Sequence, residues 1–319
     1  MPDPVLKLEQ ITKRFAGHTA VRNLSLEVPQ GGIFGLLGPN GAGKTTTIRM
    51  IMNILNPDEG RIMLFGKVST GREHSERIGF LPEERGLYKK MKVLDHLVFL
   101  GEAKGVSRKT AAIKAHQWLD RLGLKDWTLR KVEDLSKGMQ QKVQFISTLL
   151  HDPDLVILDE PFSGLDPVNS QVMKDVVVEI ARSGRTVVFS THIMEQAEKM
   201  CDRIAIIARG EKVLDGSLSE IKGGYGKRNV ALGFSDGGGK NALAVLQDRT
   251  LVSKVDDFGT SAEVELAPGA DHGRLLRSLV EAGVGLTRFE VVEPSLQSIF
   301  ISKVGAEAAT PTASEVTRA

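Results

Sequence analysis

The chain holds one cysteine in 319 residues, Cys201. A single thiol excludes any disulfide within the chain and fits a reducing compartment, with a buried apolar thiol as its plain role. Net charge is equally scarce. Forty-two Lys and Arg stand against 40 Asp and Glu, a formal charge of +2. So balanced a count gives no general attraction to polyanions, and no nucleic-acid partner is expected. No stretch reaches the roughly 20 apolar residues that cross a bilayer. The opening "MPDPVLKLEQ" has no apolar core of signal-peptide length. The expectation is a protein soluble by itself, for which any membrane role requires a partner chain. Internal repeats are lacking, as is any Cys and His cluster spaced for a metal. The length suits about two domains.

Glycine is not scarce, and three glycines crowd around one lysine in "GPNGAGKTT", Gly38 to Thr46. The apolar run "GGIFGLLG" before it suits a buried strand, and "TTTIRMIMNIL" after it has apolar residues at helical spacing. The glycines therefore sit on a strand-to-helix turn. Gly38, Gly43, Lys44 and Thr45 meet the pattern G-x-x-x-x-G-K-[ST], with Pro39, Asn40, Gly41 and Ala42 between them. Glycine lets backbone N–H groups wrap an anion, and the helix N-terminus adds positive potential. Lys44 can reach the outer phosphates of a nucleoside triphosphate, and the Thr45 hydroxyl can ligand Mg²⁺.

A second apolar strand, "DLVILDEP", ends in Asp159 and Glu160. Asp159 is expected to hold Mg²⁺ through the hydrogen bonds around it, and Glu160 to polarise an attacking water as general base. Nothing like the N-K-x-D guanine tetrapeptide occurs, which argues against a GTPase. Phe15, upstream in "ITKRFAGHTA", is either an adenine-stacking aromatic or an ordinary core residue. In "LSKGMQQK", Ser136 is a reasonable N-cap and Gly138 opens the backbone to an anion. A second anion-binding helix start makes sense if it serves the γ-phosphate held by a second copy.

Together these stretches resemble the ATP-binding cassette ATPases. "GPNGAGKTT" matches the phosphate loop of that family, "LVILDEP" its second nucleotide motif and "LSKGMQQ" its signature. "SGLD", Ser163 to Asp166, matches the loop joining two copies, and His192 in "STH" the switch histidine. Order and spacing agree across roughly residues 5 to 220. The stretch "IGFLPEERGLYKKM" and the ending "EPSLQSIF" are further similar to bacterial cassettes of the sodium-exporter-like group, whose permease is a separate chain.

The resemblance implies two cassettes closing head to tail around two ATP molecules. It gives Lys44 the β- and γ-phosphates, Thr45 the Mg²⁺ and Thr46 the α-phosphate side. Ser136 and Gly138 complete the other copy's site, and Asp166 helps to couple the two. His192 contacts the γ-phosphate and, with Glu160, holds the water. Two departures stand out. Glu83 occupies the place of a Gln that ligands Mg²⁺ and senses the permease; it either supplies the same oxygen with an added charge or faces solvent. Lys137-Gly138-Met139 replaces Gly-Gly-Gln, placing an extra positive charge near the neighbour's nucleotide.

The implied fold is α/β, a P-loop ATPase with a helical subdomain over residues 1–222. The Gly- and Lys-rich "IKGGYGKRN" marks a boundary. Beyond it, a strand-helix-strand-strand-helix-strand order over 227–303 suits a small ferredoxin-like α+β domain. A tail over 304–319 is expected to be disordered. The functional expectation is the ATP-hydrolysing subunit of a transporter, with export favoured. It would be cytoplasmic, held at the inner face of the membrane by separate permease subunits that meet the segment from Glu84 to Gly105. The alternative, a soluble cassette ATPase of translation or DNA repair, lacks support: there is one cassette and no heptad insertion.

Overall fold

The computed structural model describes residues 4–69, 73–84, 86–225, 228–235 and 238–305. Gly226 and Lys227 of the expected boundary, Arg85, and residues 306–319 of the expected tail lie outside them. The chain divides into two compact units. One is drawn from residues up to Ser217 and from Phe300 onward; the other is Leu218–Ile299.

In chain order the first unit runs β1 (Leu6–Phe15), β2 (His18–Val28), β3 (Gly32–Leu37), α1 (Lys44–Ile51), β4 (Glu59–Leu64), β5 (Lys67–Val68) and β6 (Ile78–Leu81). It continues with α2 (Val93–Ala103), α3 (Arg108–Arg121), α4 (Lys137–Leu149), β7 (Leu155–Asp159), α5 (Pro167–Arg182), β8 (Thr186–Thr191), α6 (Met194–Met200), β9 (Arg203–Ala208) and β10 (Glu211–Ser217). Its main sheet has the order β10-β9-β3-β8-β7-β6. From β9 to β6 every neighbouring pair is parallel, while β10 returns antiparallel on β9 as the expected hairpin. β7 and β8 are buried along their whole length. That is the physical reason for their unbroken apolar runs: a parallel strand is covered on both faces.

A second sheet, β2-β1-β4-β5, is wholly antiparallel. It is an addition to the strand-helix alternation expected for this part of the chain. Buried Leu6, Leu8 and Ile11 of β1 and Ile48, Met50 and Ile51 of α1 share one core with Leu36 and Ile157 of the main sheet. Helix α1 is also shorter than the apolar spacing through Leu55 suggests. Asn53 takes φ +54° and the Ile54 N–H donates back to the Arg49 carbonyl at 2.9 Å, a left-handed stop.

The second unit opens with the short helix α7 (Leu218–Gly223). It holds β11 (Asn229–Phe234), α8 (Gly238–Leu246), β12 (Val252–Asp257), β13 (Ser261–Leu266), α9 (His272–Glu281) and β14 (Leu286–Val292), and α10 (Leu296–Val304) follows. The sheet order is β12-β13-β11-β14, antiparallel throughout. Ala242 and Leu246 of α8 and Leu275 and Leu279 of α9 share one core with Val230, Leu232 and Val264. Both helices therefore cover the same face, the ferredoxin-like arrangement. Among the described residues no helix is long and apolar enough to cross a membrane.

Candidate active site

Four neighbouring parallel strands, β3, β8, β7 and β6, release their chains at one edge of the main sheet. The register pairs Leu37 with Thr191, Asp159 with Ser190, and Leu81 with Leu158. That edge therefore gathers the phosphate loop after β3, His192 after β8, Asp159 and Glu160 at the end of β7, and Glu83 after β6. Motifs far apart in sequence meet because parallel strands all end on the same side.

The loop's shape is fixed by its backbone. Gly43 has φ +102° and is the N-cap of α1. A Cβ there would lie 2.5 Å from the Ala20 carbonyl oxygen, and one on Gly38 only 2.1 Å from that of Ile207. Neither position admits a side chain. The Lys44 ammonium is buried and donates to the carbonyls of Gly38 at 2.8 Å and Pro39 at 3.1 Å. It lies 3.7 Å from Glu160 Oε1. Burial lowers the Lys44 pKa, opposed by the charges of Glu160, Asp159 and Glu83.

Asp159 is 1% exposed. Burial raises its pKa, opposed by hydrogen bonds from the Ser190 and Thr45 hydroxyls. Ser190 Oγ, fully buried, donates to Asp159 Oδ1 and accepts from the Glu160 N–H at 3.1 Å. Glu160 itself sits at φ +48°, a left-handed conformation that costs a non-glycine residue about 1–3 kcal/mol. The Ser190 bond is one contact that holds it there. The result turns the Glu160 carboxylate onto His192, whose Nδ1 lies 2.9 Å from Oε1. His192 is itself exposed.

Glu83 is exposed, on the turn that follows β6, near enough for the charges of Asp159, Glu160 and Lys44 to act on it. Its pKa is raised by burial and by the charges of Asp159 and Glu160, and lowered by Lys44. One lysine thus faces three carboxylates. A site of that balance takes a triphosphate only together with a cation. The donors at hand, the Thr45 hydroxyl and carboxylates, are hard oxygens of the kind Mg²⁺ prefers. Among the described residues no group of three or more His, Cys, Asp or Glu is ready to hold a metal.

The remaining expected residues lie elsewhere. Phe15 is 42% exposed at the end of β1, stacked on His18 with centroids 5.9 Å apart, so the core alternative is excluded. Ser136 is exposed and caps α4, accepting from the Met139 N–H at 3.3 Å. Lys137 follows it and the first turn of α4 has no acidic residue, so the positive end of the helix is left uncompensated. Gly138 is half-buried; a Cβ there would touch Leu165 at 3.4 Å. Asp166 caps α5 through the Asn169 N–H at 3.0 Å. Thr46 is half-buried in the first turn of α1. Ser190 was not among the expected residues. Its one sequence signal is a hydroxyl two positions before His192, directly after the apolar run Val187 to Phe189.

Residues 21–163 match the family described as ABC transporter. Residues 216–304 match the ATP-binding protein DrrA1-3-like C-terminal domain. The uncharacterized ABC transporter ATP-binding protein YhaQ of Bacillus subtilis (strain 168) is 43% identical, over 95% of this chain and 99% of that protein. The linearmycin resistance ATP-binding protein LnrL of the same strain is 31% identical, over 94% of this chain and 98% of that protein. A solved ATP-binding subunit of an ABC transporter superposes with a TM-score of 0.65 at 28% identity, over 70% of this chain and 93% of that chain. The chain therefore belongs to the ATP-binding cassette family, as an ATP-binding and ATP-hydrolysing ABC transporter subunit.

Proposed function

We propose that two copies close head to tail around two ATP molecules and drive separate permease chains, in the direction of export. The observation that carries this is the Lys44–Glu160–His192 cluster, with contacts of 3.7 and 2.9 Å at the edge where the phosphate loop begins. Gly38 to Thr46 cradle the phosphates. Lys44 exchanges its bonds to the Gly38 and Pro39 carbonyls for the β- and γ-phosphates. Thr45 and Asp159, with Glu83, are the residues that would hold Mg²⁺, which would supply charge neutralisation on the phosphates. Glu160 takes the proton of the attacking water, and His192 orients that carboxylate. Phe15 offers an exposed ring to the adenine.

Ser136 and Gly138 serve the nucleotide of the second copy, which suits an exposed helix start with no acidic residue in its first turn. Asp166 and its loop couple the two sites. The cassette, residues 1–222, carries every residue of the reaction; the C-terminal domain, residues 227–303, carries none. Export is supported by the similarity to LnrL, which is named a resistance protein, and by the exporter-like "EPSLQSIF" ending. The chain then works on the cytoplasmic face of the membrane, bound through its permease.

Glu160→Gln tests the reading. It should keep ATP affinity, lose about 10²–10⁴-fold in turnover and accumulate an ATP-dependent dimer on gel filtration. Wild-type turnover in this variant would remove Glu160 as the base. A tagged wild-type chain should also co-purify with a membrane protein from its own cells.

A further inference from the structure

Helix α4 buries three polar side chains on one face. Gln141, Gln144 and Thr148 are 4%, 5% and 3% exposed. Their spacing of three and four residues puts them in one row. Each reaches a main-chain carbonyl of another element. Gln141 Nε2 donates to Pro161, the residue after Glu160, at 3.3 Å. Thr148 Oγ1 shares its one proton between the Gln144 carbonyl of its own helix at 3.0 Å and that of Phe80 of β6 at 3.3 Å. Gln144 Nε2 donates to both Pro82 and Glu84, at 3.2 Å each. These two carbonyls flank Glu83.

Gln144 is an expensive way to fill that space. Its Oε1 is buried and finds no hydrogen-bond partner among the described residues. Turning the amide over would set that oxygen against two carbonyls, so the nitrogen must face them. An apolar side chain of the same size would leave no orphaned acceptor. What Gln144 gives in return is a two-point hold on a turn that has left the sheet.

We propose that Gln144 is a positioning residue for the hydrolytic site, strapping the Pro82–Glu84 turn to α4 so that the Glu83 carboxylate faces Lys44, Asp159 and Glu160. The strap acts through Glu83 and touches neither nucleotide nor water. It rests on the role given to Glu83 above. Because the same helix begins at Ser136, the strap also ties the Glu83 turn to the element that meets the second copy's nucleotide.

The test is a double-mutant cycle in the full chain, read as kcat and KM for ATP. Gln144→Met removes the donor while conserving volume, and Glu83→Ala removes the carboxylate. Gln144→Met should lower kcat about tenfold, the equivalent of one to two ordinary hydrogen bonds, with KM little changed. In the Glu83→Ala background the same substitution should change kcat by less than about twofold, because coupled residues are not additive. Should Gln144→Met not fold, Gln144→Asn, too short to reach the two carbonyls, enters the same cycle. If Glu83→Ala turns over like wild type, the role of Glu83 fails and the strap positions nothing. If Glu83→Ala is slow while Gln144→Met is silent or fully additive to it, the strap alone is overturned.

Discussion

Ser190→Ala removes one hydroxyl that serves two neighbours. Asp159 loses a donor, and the Glu160 N–H loses its acceptor. A hydrogen bond to a charged group is worth about 1.5–3 kcal/mol, and an orphaned buried donor costs about 1–3 kcal/mol. A loss of about 3 kcal/mol is therefore expected near neutral pH. At about 2–4 °C per kcal/mol for a chain approaching this size, Tm should fall by about 6–12 °C. The pH dependence makes the prediction specific. The native pKa of Asp159 is already raised by burial, so its proton stabilises the fold at low pH, and that stability is lost as pH rises through the native value. Removing the Ser190 donor raises that value further. The gap between variant and wild type should thus be smallest where Asp159 is protonated in both, leaving the cost of the Glu160 N–H, and widen as pH rises through the native value. Thermal unfolding over a pH series from the ordinary Asp range upward reads this directly. A pH-independent gap, or an unchanged Tm, would refute the argument that Ser190 carries the charge of Asp159.

Lys44→Ala should lose nucleotide affinity and turnover together, because its buried ammonium stands against three carboxylates; binding of labelled ATP decides it. Glu83→Gln should remain active, with the acid limb of the rate profile moved towards lower pH. Removing one of the mutually repelling carboxylates lets Asp159 stay ionised further into acid. Superimposable profiles of ATPase rate against pH would leave Glu83 outside the site.

The parts of the site legible in the sequence are those whose chemistry is local. Gly38, Gly43 and Lys44 declare a phosphate loop because a tight strand-to-helix turn restricts which residues fit. Asp159 and Glu160 declare themselves because charges rarely end a buried strand without a task. Ser190 was hidden because its role comes from the β7–β8 register, which places it opposite Asp159. Gln144 was hidden because a polar row on a helix reads as a solvated face, and here it is buried against main-chain carbonyls. The antiparallel sheet was missed for a different reason. β1 carries register shifts between Leu8 and Ile11 and again after Ile11, so its buried positions do not keep a period of two. The ferredoxin-like unit was readable because β13 alternates without interruption, Ala262, Val264 and Leu266 inward and their neighbours outward.

The contacts of Lys44 and Glu160 bear on how, in the proposed reading, binding and hydrolysis are linked. Lys44 is held by two carbonyls of its own loop and by the proximity of Glu160. Glu160 divides its Oε1 between Lys44 and His192. A triphosphate that claims the ammonium frees the Gly38 and Pro39 carbonyls and leaves Glu160 with His192 as its partner. The lysine cannot simply swing away, since it is buried at the start of α1. Phosphate must come to it, into a loop whose glycines exclude side chains from the backbone. On the proposed reading, Glu160 would reach its working set of contacts only once the nucleotide has taken the lysine. The left-handed backbone of Glu160, held through Ser190, keeps the carboxylate aimed at His192 throughout.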